Sequence, residues 1–223
     1  MIDKMKDMIF PKYSQCGEDR IVDILFQKLM IDNPSWMDIG AGDPYILSNT
    51  AFFYEKGFHG INIEPNPDFY QKLVESRPDD VNLNCAIGSE SGILDYYMFD
   101  GYPFLNSCCK QDADSMVNEF GYKIGNVLEV SMLTLQQVLS DYCHGQFPDL
   151  LSVDIEGMDL NILEQIDYSK SAPKIIIVET VKFGSVKKDQ AIKDFLENKG
   201  YLAPYETPIN TIFVRRDCWE KML

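Results

Sequence analysis

The chain has 223 residues, of which 45% are hydrophobic, and this length suits one domain with a central sheet covered on both faces. Its 35 acidic and 20 basic residues give a formal net charge of −15. A surface this acidic repels a nucleic-acid backbone and an anionic membrane. No segment is apolar enough to span a bilayer, and residues 1–10 lack the apolar core of a secretory signal. Composition therefore predicts a globular cytoplasmic protein without a nucleic-acid or membrane partner.

The six cysteines are scattered along the chain and form no C-x-x-C pair. This distribution is typical of the reduced thiols of a cytosolic protein. The adjacent Cys108 and Cys109 could be redox-active or bind a soft metal, but we favour the simpler interpretation that they are two small residues in a loop.

Predicted helices and strands alternate through the first part of the chain. Apolar residues at helical spacing indicate helices, and short apolar runs that end in glycine or an acidic residue indicate strands. In chain order these elements are helix 18–30, strand 36–40, helix 48–56, strand 60–64, helix 66–76 and strand 82–87. The turn Gly40-Ala41-Gly42 separates the first strand from the helix that follows it, which is the pattern of a βα unit.

The middle of the chain is less regular. Weak alternation in 93–99 predicts one arm of a hairpin, and 100–125 mixes glycine, proline and aromatic residues. We interpret 100–125 as an insertion of loop and short helix. We therefore expect a single domain, 1–223, in which 1–35 is an N-terminal helical segment and about 93–130 is an insertion that covers the active site.

Regular elements resume at Thr134, which forms a capping box with Gln137. They are a helix after Thr134, strand 150–155, helix 159–166, strand 175–178, helix 186–199, and strands 201–205 and 211–214. The apolar strands are typical of the centre of a parallel sheet, and the last two strands indicate an antiparallel pair. The sequence thus predicts an α/β fold with a doubly wound, mostly parallel sheet and an antiparallel edge strand. Such sheets bind ligands at the carboxyl ends of their strands.

The turn after the first predicted strand favours a nucleoside ligand. It lacks the third glycine of a dinucleotide fingerprint and the lysine of a phosphate loop. However, Glu64 closes the next strand, where a carboxylate can accept hydrogen bonds from both hydroxyls of a ribose. The alternative is a helix-capping turn followed by a surface glutamate.

The charge of this turn indicates which of two nucleoside cofactors it suits better. A nicotinamide dinucleotide places a pyrophosphate at the helix N-terminus, whereas S-adenosylmethionine has no phosphate and carries a cationic methionine tail. Asp38 and Asp43 are acidic, which repels a pyrophosphate and suits the tail. The methyl donor is therefore preferred to a nicotinamide.

Several short motifs recur together in one order. They are Ser14-Gln15-Cys16-Gly17-Glu18-Asp19, Asp38-Ile39-Gly40-Ala41-Gly42-Asp43-Pro44, Ser48-Asn49-Thr50, Ile63-Glu64-Pro65-Asn66-Pro67, Asn84-Cys85-Ala86-Ile87-Gly88, Val153-Asp154-Ile155-Glu156-Gly157 and Ile177-Val178-Glu179. No single motif is specific, but the ordered set resembles the FkbM-type methyltransferases over nearly the whole chain. The resemblance implies a class I methyltransferase fold that uses S-adenosylmethionine to methylate a hydroxyl of a sugar, polyketide or similar metabolite.

The resemblance also implies which residues contact the cofactor. Residues 38–42 would face the methionine part, Glu64 the ribose, and Ala86 and Ile87 the adenine edge. The full expected set is Gln15, Asp38, Gly40, Ala41, Gly42, Asp43, Asn49, Glu64, Pro65, Ala86, Ile87 and Asp154.

Three acidic residues follow two strands predicted to be central. Methyl transfer to a hydroxyl needs an aligned acceptor oxygen and a base for its proton. Asp154 is the first candidate for the base or orienter, with Glu156 and Glu179 next, although strand-end carboxylates also cap helices. His59 and His144 are expected to be surface residues. Metal dependence stays open, because the spacing of the acidic residues matches no known metal motif.

The sequence does not name the methyl acceptor. We expect a sugar or similar hydroxyl-bearing small molecule, and the aromatic residues of the insertion could stack on a sugar ring or form a local core. A nucleoside-binding regulatory module without catalytic activity is the alternative, and a nicotinamide-dependent reductase is disfavoured by the acidic turn.

Overall fold

The computed structural model describes residues 13–155, 157–181 and 187–222. In chain order the strands are β1 (Trp36–Ile39), β2 (Ile61–Ile63), β3 (Val81–Leu83), β4 (Ala86–Gly88), β5 (Gly92–Phe99), β6 (Ile124–Thr134), β7 (Leu150–Val153), β8 (Ile175–Glu179), β9 (Tyr201–Glu206) and β10 (Asn210–Arg215). The helices are α1 (Glu18–Lys28), α2 (Ala51–Glu55), α3 (Pro67–Ser76), α4 (Lys110–Phe120), α5 (Leu135–Cys143), α6 (Asp159–Glu164), α7 (Gln190–Asn198) and α8 (Arg216–Glu220).

Seven strands form the main sheet in the order β3-β2-β1-β7-β8-β10-β9. Neighbouring strands from β3 to β8 are parallel, and β10 runs antiparallel to both β8 and β9. The chain starts at the centre with β1, winds outward to β3 and then returns to β7 on the other side. This is the predicted doubly wound α/β sheet with its antiparallel pair at one edge, and the order reverses between β1 and β7, where such sheets bind ligands.

The central strands are buried on both faces, as their apolar sequences predict. In β8, for example, Ile176 and Val178 pack into one cluster with residues of α5, α6 and α7. Ile175 and Ile177 pack into a second cluster with α1, α2 and α8. Successive side chains of a strand point to opposite faces, so a continuous β-branched run supplies both halves of the core.

The predicted strand 82–87 is wrong, because the structure divides it between two sheets. β3 closes the edge of the main sheet, whereas β4 belongs to a three-stranded sheet of order β4-β6-β5. Between them Asn84 donates hydrogen bonds from its side chain to the carbonyl oxygens of Glu64 and Pro65, at 2.9 and 3.1 Å. These bonds hold the chain at the end of β2, where it leaves the main sheet.

The insertion is more regular than the sequence predicts. Helix α4 has 11 residues, and β6, also of 11 residues, was not predicted. β6 pairs antiparallel with β5 and parallel with β4. Most of its side chains are exposed or half-buried, so the alternation of polar and apolar residues that identifies a strand is weak there.

Of two helix boundaries predicted from the sequence, one is confirmed and the other lies outside the described residues. The capping box is confirmed, because the Thr134 hydroxyl and the Gln137 side chain each bond the other residue's backbone. α7 begins at Gln190, and residues 182–186, which include the start of the predicted helix 186–199, lie outside the described residues. Within the described ranges, no helix is long and apolar enough to cross a membrane.

Candidate cofactor and catalytic site

A cleft of about 650 Å³ opens at the carboxyl ends of β1, β2 and β7. Its walls come from the turn after β1, the segment after β2, the start of β4, the loop 103–108 and the residues after β7. Seven of the residues predicted to contact the cofactor line it, namely Gly40, Gly42, Glu64, Pro65, Ala86, Ile87 and Asp154. The switch in strand order thus places the predicted residues around one cavity.

The turn after β1 is held against β2 and β7. The backbone amides of Gly40 and Ala41 donate to the carbonyl oxygen of Ile63, at 2.9 and 3.1 Å. Gly40 has a φ of +81°, and a Cβ there would overlap the backbone carbonyl of Asp154. Only glycine combines this left-handed conformation with so close an approach. The turn therefore leaves the floor of the cleft free of side-chain atoms at Gly40.

Glu64 bridges the ends of β1 and β2. Its Oε2 accepts a hydrogen bond from the backbone amide of Gly42, and its Oε1 accepts one from Asn66, both at 2.7 Å. The side chain is only 4% exposed. Burial raises the pKa of Glu64 to about 7, although the two amide bonds act in the opposite direction. The carboxyl is thus held rigidly in the wall of the cleft and titrates near neutrality.

Asp38 lies in a polar network below the cleft and does not line it. The Thr50 hydroxyl donates to its Oδ2 at 2.8 Å, and the Arg77 guanidinium donates to the same hydroxyl oxygen at 3.1 Å. Arg77 is fully buried and pairs with Asp80 at 2.7 Å. Burial raises the pKa of Asp38, with the hydrogen bonds from Thr50 and Ser152 opposing the rise. This network fastens β1 to the helices that follow it.

Asn49 and Asp43 lie beside the same turn but outside the lining of the cleft. Asn49 donates from Nδ2 to the Ser152 hydroxyl at 3.2 Å, and its buried Oδ1 has no partner among the described residues. Asp43 accepts from the amides of Tyr45 and Ile46 and from Lys72. Desolvation raises the pKa of Asp43, but these bonds outweigh it, so the pKa lies below its usual value.

The remaining predicted residues have separate positions. Ala41 is buried in the glycine turn. Gln15 accepts a hydrogen bond from the side chain of Asn210, at 3.1 Å, before the start of α1. Glu156 lies outside the described residues.

Asp154 and Glu179 lie side by side at the ends of the neighbouring strands β7 and β8, directly after the paired residues Val153 and Val178. Desolvation raises the pKa of Asp154 to about 6, with nearby Asp38 and Glu18 adding to the rise and hydrogen bonding with Glu179 opposing it. The pair can therefore hold or take up a proton near neutral pH.

A second cleft, of about 1490 Å³, adjoins the first. Glu179 and Thr180 line it at the end of β8, together with residues of α4 and α6. In the loop 103–108, Asn106 lines the first cleft, whereas its neighbours Leu105 and Ser107 line the second. Asp154 lines the first cleft and its partner Glu179 lines the second, so the carboxyl pair stands at their boundary.

Other candidate groups are absent from the two clefts or chemically inert. Neither His59 nor His144 lines them. Cys108 lines the first cleft, but burial, with smaller effects of Glu64 and Cys109, raises its pKa to about 12, which keeps it a thiol. Across the ranges of the chain that are described, no three His, Cys, Asp or Glu side chains are grouped to hold a metal ion.

Sequence reasoning missed several residues of the cleft, including Phe69, Asn106 and Cys108. Phe69 follows the Asn66 cap by one helical turn, and its ring packs on that of Phe104 with centroids 5.1 Å apart. The order of motifs could have pointed to Phe69, because it lies in the first turn of the helix after Glu64. No local signal identifies Asn106 or Cys108, which lie in the loop that bonds to β5 through Asn106 and Ser107.

The fold and the cleft define a class I methyltransferase that uses S-adenosylmethionine. The strand order, the glycine turn against β7 and the buried acid at the end of β2 suit a nucleoside without phosphates. Two buried polar atoms, Oδ1 of Asn49 and Nδ2 of Asn106, have no hydrogen-bond partner among the described residues. The family model described as the Methyltransferase FkbM domain matches residues 38–203, and the chain belongs to this family.

Comparison with individual proteins gives only distant similarities. A search of curated proteins finds no significant sequence match. Among solved structures, a TehB-like SAM-dependent methyltransferase from Corynebacterium glutamicum is similar, with 10% identity, coverage of 96% of this chain and 94% of that one, and a TM-score of 0.46. A precorrin-6y C5,15-methyltransferase from Geobacter metallireducens has 15% identity, coverage of 93% and 94%, and a TM-score of 0.42.

Proposed function

We propose that this methyltransferase transfers a methyl group to a hydroxyl of a sugar or similar small molecule, with the Asp154–Glu179 pair as proton acceptor. The observation that carries the proposal is the position of this pair between the two clefts. The first cleft would hold the cofactor and the second the acceptor.

All six cysteines are free thiols, which supports a cytoplasmic location.

Glu64 would accept hydrogen bonds from the ribose hydroxyls. Its oxygens are fixed by two backbone amides, so little conformational entropy is lost on binding. Ala86 and Ile87 would face the adenine, and Pro65 would pack beside the ribose. The methionine part would lie over Gly40, Ala41 and Gly42.

Four further residues are proposed to act beside that methionine part. The unpartnered Oδ1 of Asn49 is an acceptor suited to an ammonium group. Asp38 and Asp43 would add negative potential from below the turn, and Gln15 would approach from the segment before α1. Their carboxylates and amides match the charge of the tail and not that of a pyrophosphate.

The cofactor supplies an electrophilic methyl group, and residues of the chain position the acceptor and take its proton. The attacking hydroxyl loses its proton as the new oxygen–carbon bond forms, so a base within hydrogen-bond reach lowers the barrier. Above pH 6 Asp154 is ionised and can take this proton, and Glu179, its neighbour at the end of β8, would help to orient it. Glu156 remains a second candidate for the same task.

The second cleft supports a neutral, hydroxylated acceptor. Its described walls combine apolar side chains with the hydroxyls of Ser107, Ser115 and Thr180 and the amide of Asn161. Its charged lining residues within the described ranges are Asp112, Glu119, Asp159, Glu179 and Asp189. Carboxylates repel phosphorylated acceptors and accept hydrogen bonds from sugar hydroxyls.

The test is an acceptor screen with S-adenosylmethionine. Purified protein is incubated with neutral sugars, sugar phosphates and simple alcohols, and released S-adenosylhomocysteine and methylated product are measured by mass spectrometry. We expect release that depends on a neutral sugar or a related polyol. Tight cofactor binding without release on any acceptor would instead support the regulatory nucleoside-binding module.

A further inference from the structure

The loop 103–108 holds Asn106 in one orientation. The backbones of Tyr97 and Ser107 exchange two hydrogen bonds, at 2.8 and 3.1 Å, which tie the loop to β5. The backbone amide of Phe99 donates to Oδ1 of Asn106 at 2.9 Å. An amide donor needs an oxygen acceptor, so this bond fixes which end of the side chain is Oδ1 and which is Nδ2.

The Nδ2 group of Asn106 is an orphan. The residue is only 8% exposed, and Nδ2 has no hydrogen-bond partner within the described ranges. A buried donor without an acceptor is destabilising, and native proteins retain few of them. Because Asn106 lines the cofactor cleft, the simplest reason for the orphan is an acceptor that arrives with the cofactor.

The residues around Asn106 limit which atom of the cofactor can accept a hydrogen bond from Nδ2. Asn106 faces the cleft next to Tyr96 and Cys108, which pack with Ala86 in one apolar cluster. S-adenosylmethionine offers a carboxylate, ribose oxygens and adenine ring nitrogens. The carboxylate is disfavoured because Glu64 and Asp154 also line this cleft, and Glu64 is assigned to the ribose. An apolar wall with an unpartnered amide donor suits a flat base with an acceptor at its edge.

We infer that Asn106 positions the adenine of the cofactor by donating a hydrogen bond from Nδ2 to a ring nitrogen. The side chain is held before the cofactor arrives, so the bond selects adenine without further ordering of the loop. The inference rests on the proposed assignment of Glu64 to the ribose but not on the proposed acceptor. A negative result in the acceptor screen would therefore leave it unaffected.

The test measures binding by isothermal titration and needs no turnover. S-adenosylhomocysteine is compared with its 1-deaza, 3-deaza and 7-deaza analogues, in each of which one ring nitrogen becomes C–H. We expect one analogue to bind the wild-type protein about tenfold more weakly than the parent compound, the usual effect of one lost hydrogen bond. For Asn106→Ala, that analogue and the parent compound should bind equally.

Asn106→Asp keeps the acceptor for the Phe99 amide, removes the Nδ2 donor and adds one negative charge, so it complements the Ala variant, which loses the bond to Phe99. It should bind the parent compound at least tenfold more weakly. Asn126→Asp makes the same change at an exposed residue of β6 and should bind normally. Two results would overturn the inference. In the first, each deaza analogue loses as much affinity in the wild type as in Asn106→Ala. In the second, Asn106→Ala instead removes the effect of a 2′- or 3′-deoxyribose substitution on binding.

Discussion

Asp154 and Glu179 are neighbours across two adjacent parallel strands, each at the carboxyl end of its strand. Each faces a different cleft. The parallel pairing of Val153 with Val178 brings the two residues side by side, so the sheet itself sets their separation. Several tests of the site follow from this pair and from the turn beside it.

Asp154→Asn should lower turnover by roughly 10² to 10⁴, the usual effect of removing a general base. The amide keeps the shape of the side chain but cannot accept the hydroxyl proton. The dissociation constant of S-adenosylhomocysteine should change much less. Asp141→Asn, which removes one charge from an exposed residue of α5, is the matched control. Poor cofactor binding with normal turnover would assign Asp154 to the methionine tail.

The rate should depend on pH through the same residue. With the pKa of Asp154 at about 6, kcat at saturating cofactor should rise from pH 5 to 7 with an inflection near 6, because only the ionised form takes a proton. Asp154→Asn should lack that inflection. A profile that is flat in the wild type would remove Asp154 from the proton transfer.

Glu64→Gln should weaken cofactor binding by at least about tenfold, since a charged acceptor is replaced by a neutral side chain. The pKa of Glu64 is about 7, so wild-type affinity should improve as the pH rises from 6 to 8 and the carboxyl ionises. Titrations of S-adenosylhomocysteine across that range measure both effects. Equal affinity of the two proteins at pH 8 would remove Glu64 from the ribose site.

Glu64 should also make folding stability depend on pH. Its pKa is about 7 in the folded chain, against an ordinary value of 4.5, so the folded state binds more protons between these values. Its stabilisation is fully present below pH 4.5 and is lost as the pH rises to 7, on the order of 3 kcal/mol in all. Urea unfolding of Glu64→Gln should show a smaller decline over this range, and an unchanged slope would contradict the shift.

Gly40→Ala should cost several kcal/mol or prevent folding, because its Cβ would overlap the Asp154 carbonyl. Gly57→Ala is the matched control. It has a similar φ of +86°, but no atom lies within 4 Å of its added Cβ, so it should cost only the conformational strain of about 1 to 2 kcal/mol. Denaturant midpoints of the two variants separate the clash from the strain. Equal losses would show that the close approach to β7 carries no extra cost.

The sequence predicts the part of the site that lies where strands end. Gly40, Glu64 and Asp154 all follow or close short apolar strands, and parallel strands bring such ends to one edge. Asp38, unlike these three residues, lies inside a strand, β1, and not at its end. Met37 and Ile39 pack into one core cluster and Trp36 into the other. Alternation therefore places Asp38 on the side of Trp36, where Thr50 bonds it.

Strand β6 of the insertion is not predicted from the sequence, for another reason. Strand β6 is mostly exposed or half-buried and is stabilised by pairing with β5, which is distant in sequence. The local hydrophobic periodicity of β6 therefore says little about its pairing with β5. Asn106 is a different case, because its position follows from the attachment of its loop to β5. Its proposed role depends on a buried donor that has no acceptor among the described residues.

The loop 103–108 is a wall common to both clefts, with Asn106 on one side and Leu105 and Ser107 on the other. This loop is tied to β5 by two backbone hydrogen bonds, so a substitution that moves its backbone on one side also shifts the side chains on the other. Attempts to change acceptor preference at 105 or 107 will then alter cofactor affinity as well, and the two properties will not be separable by substitution in this loop.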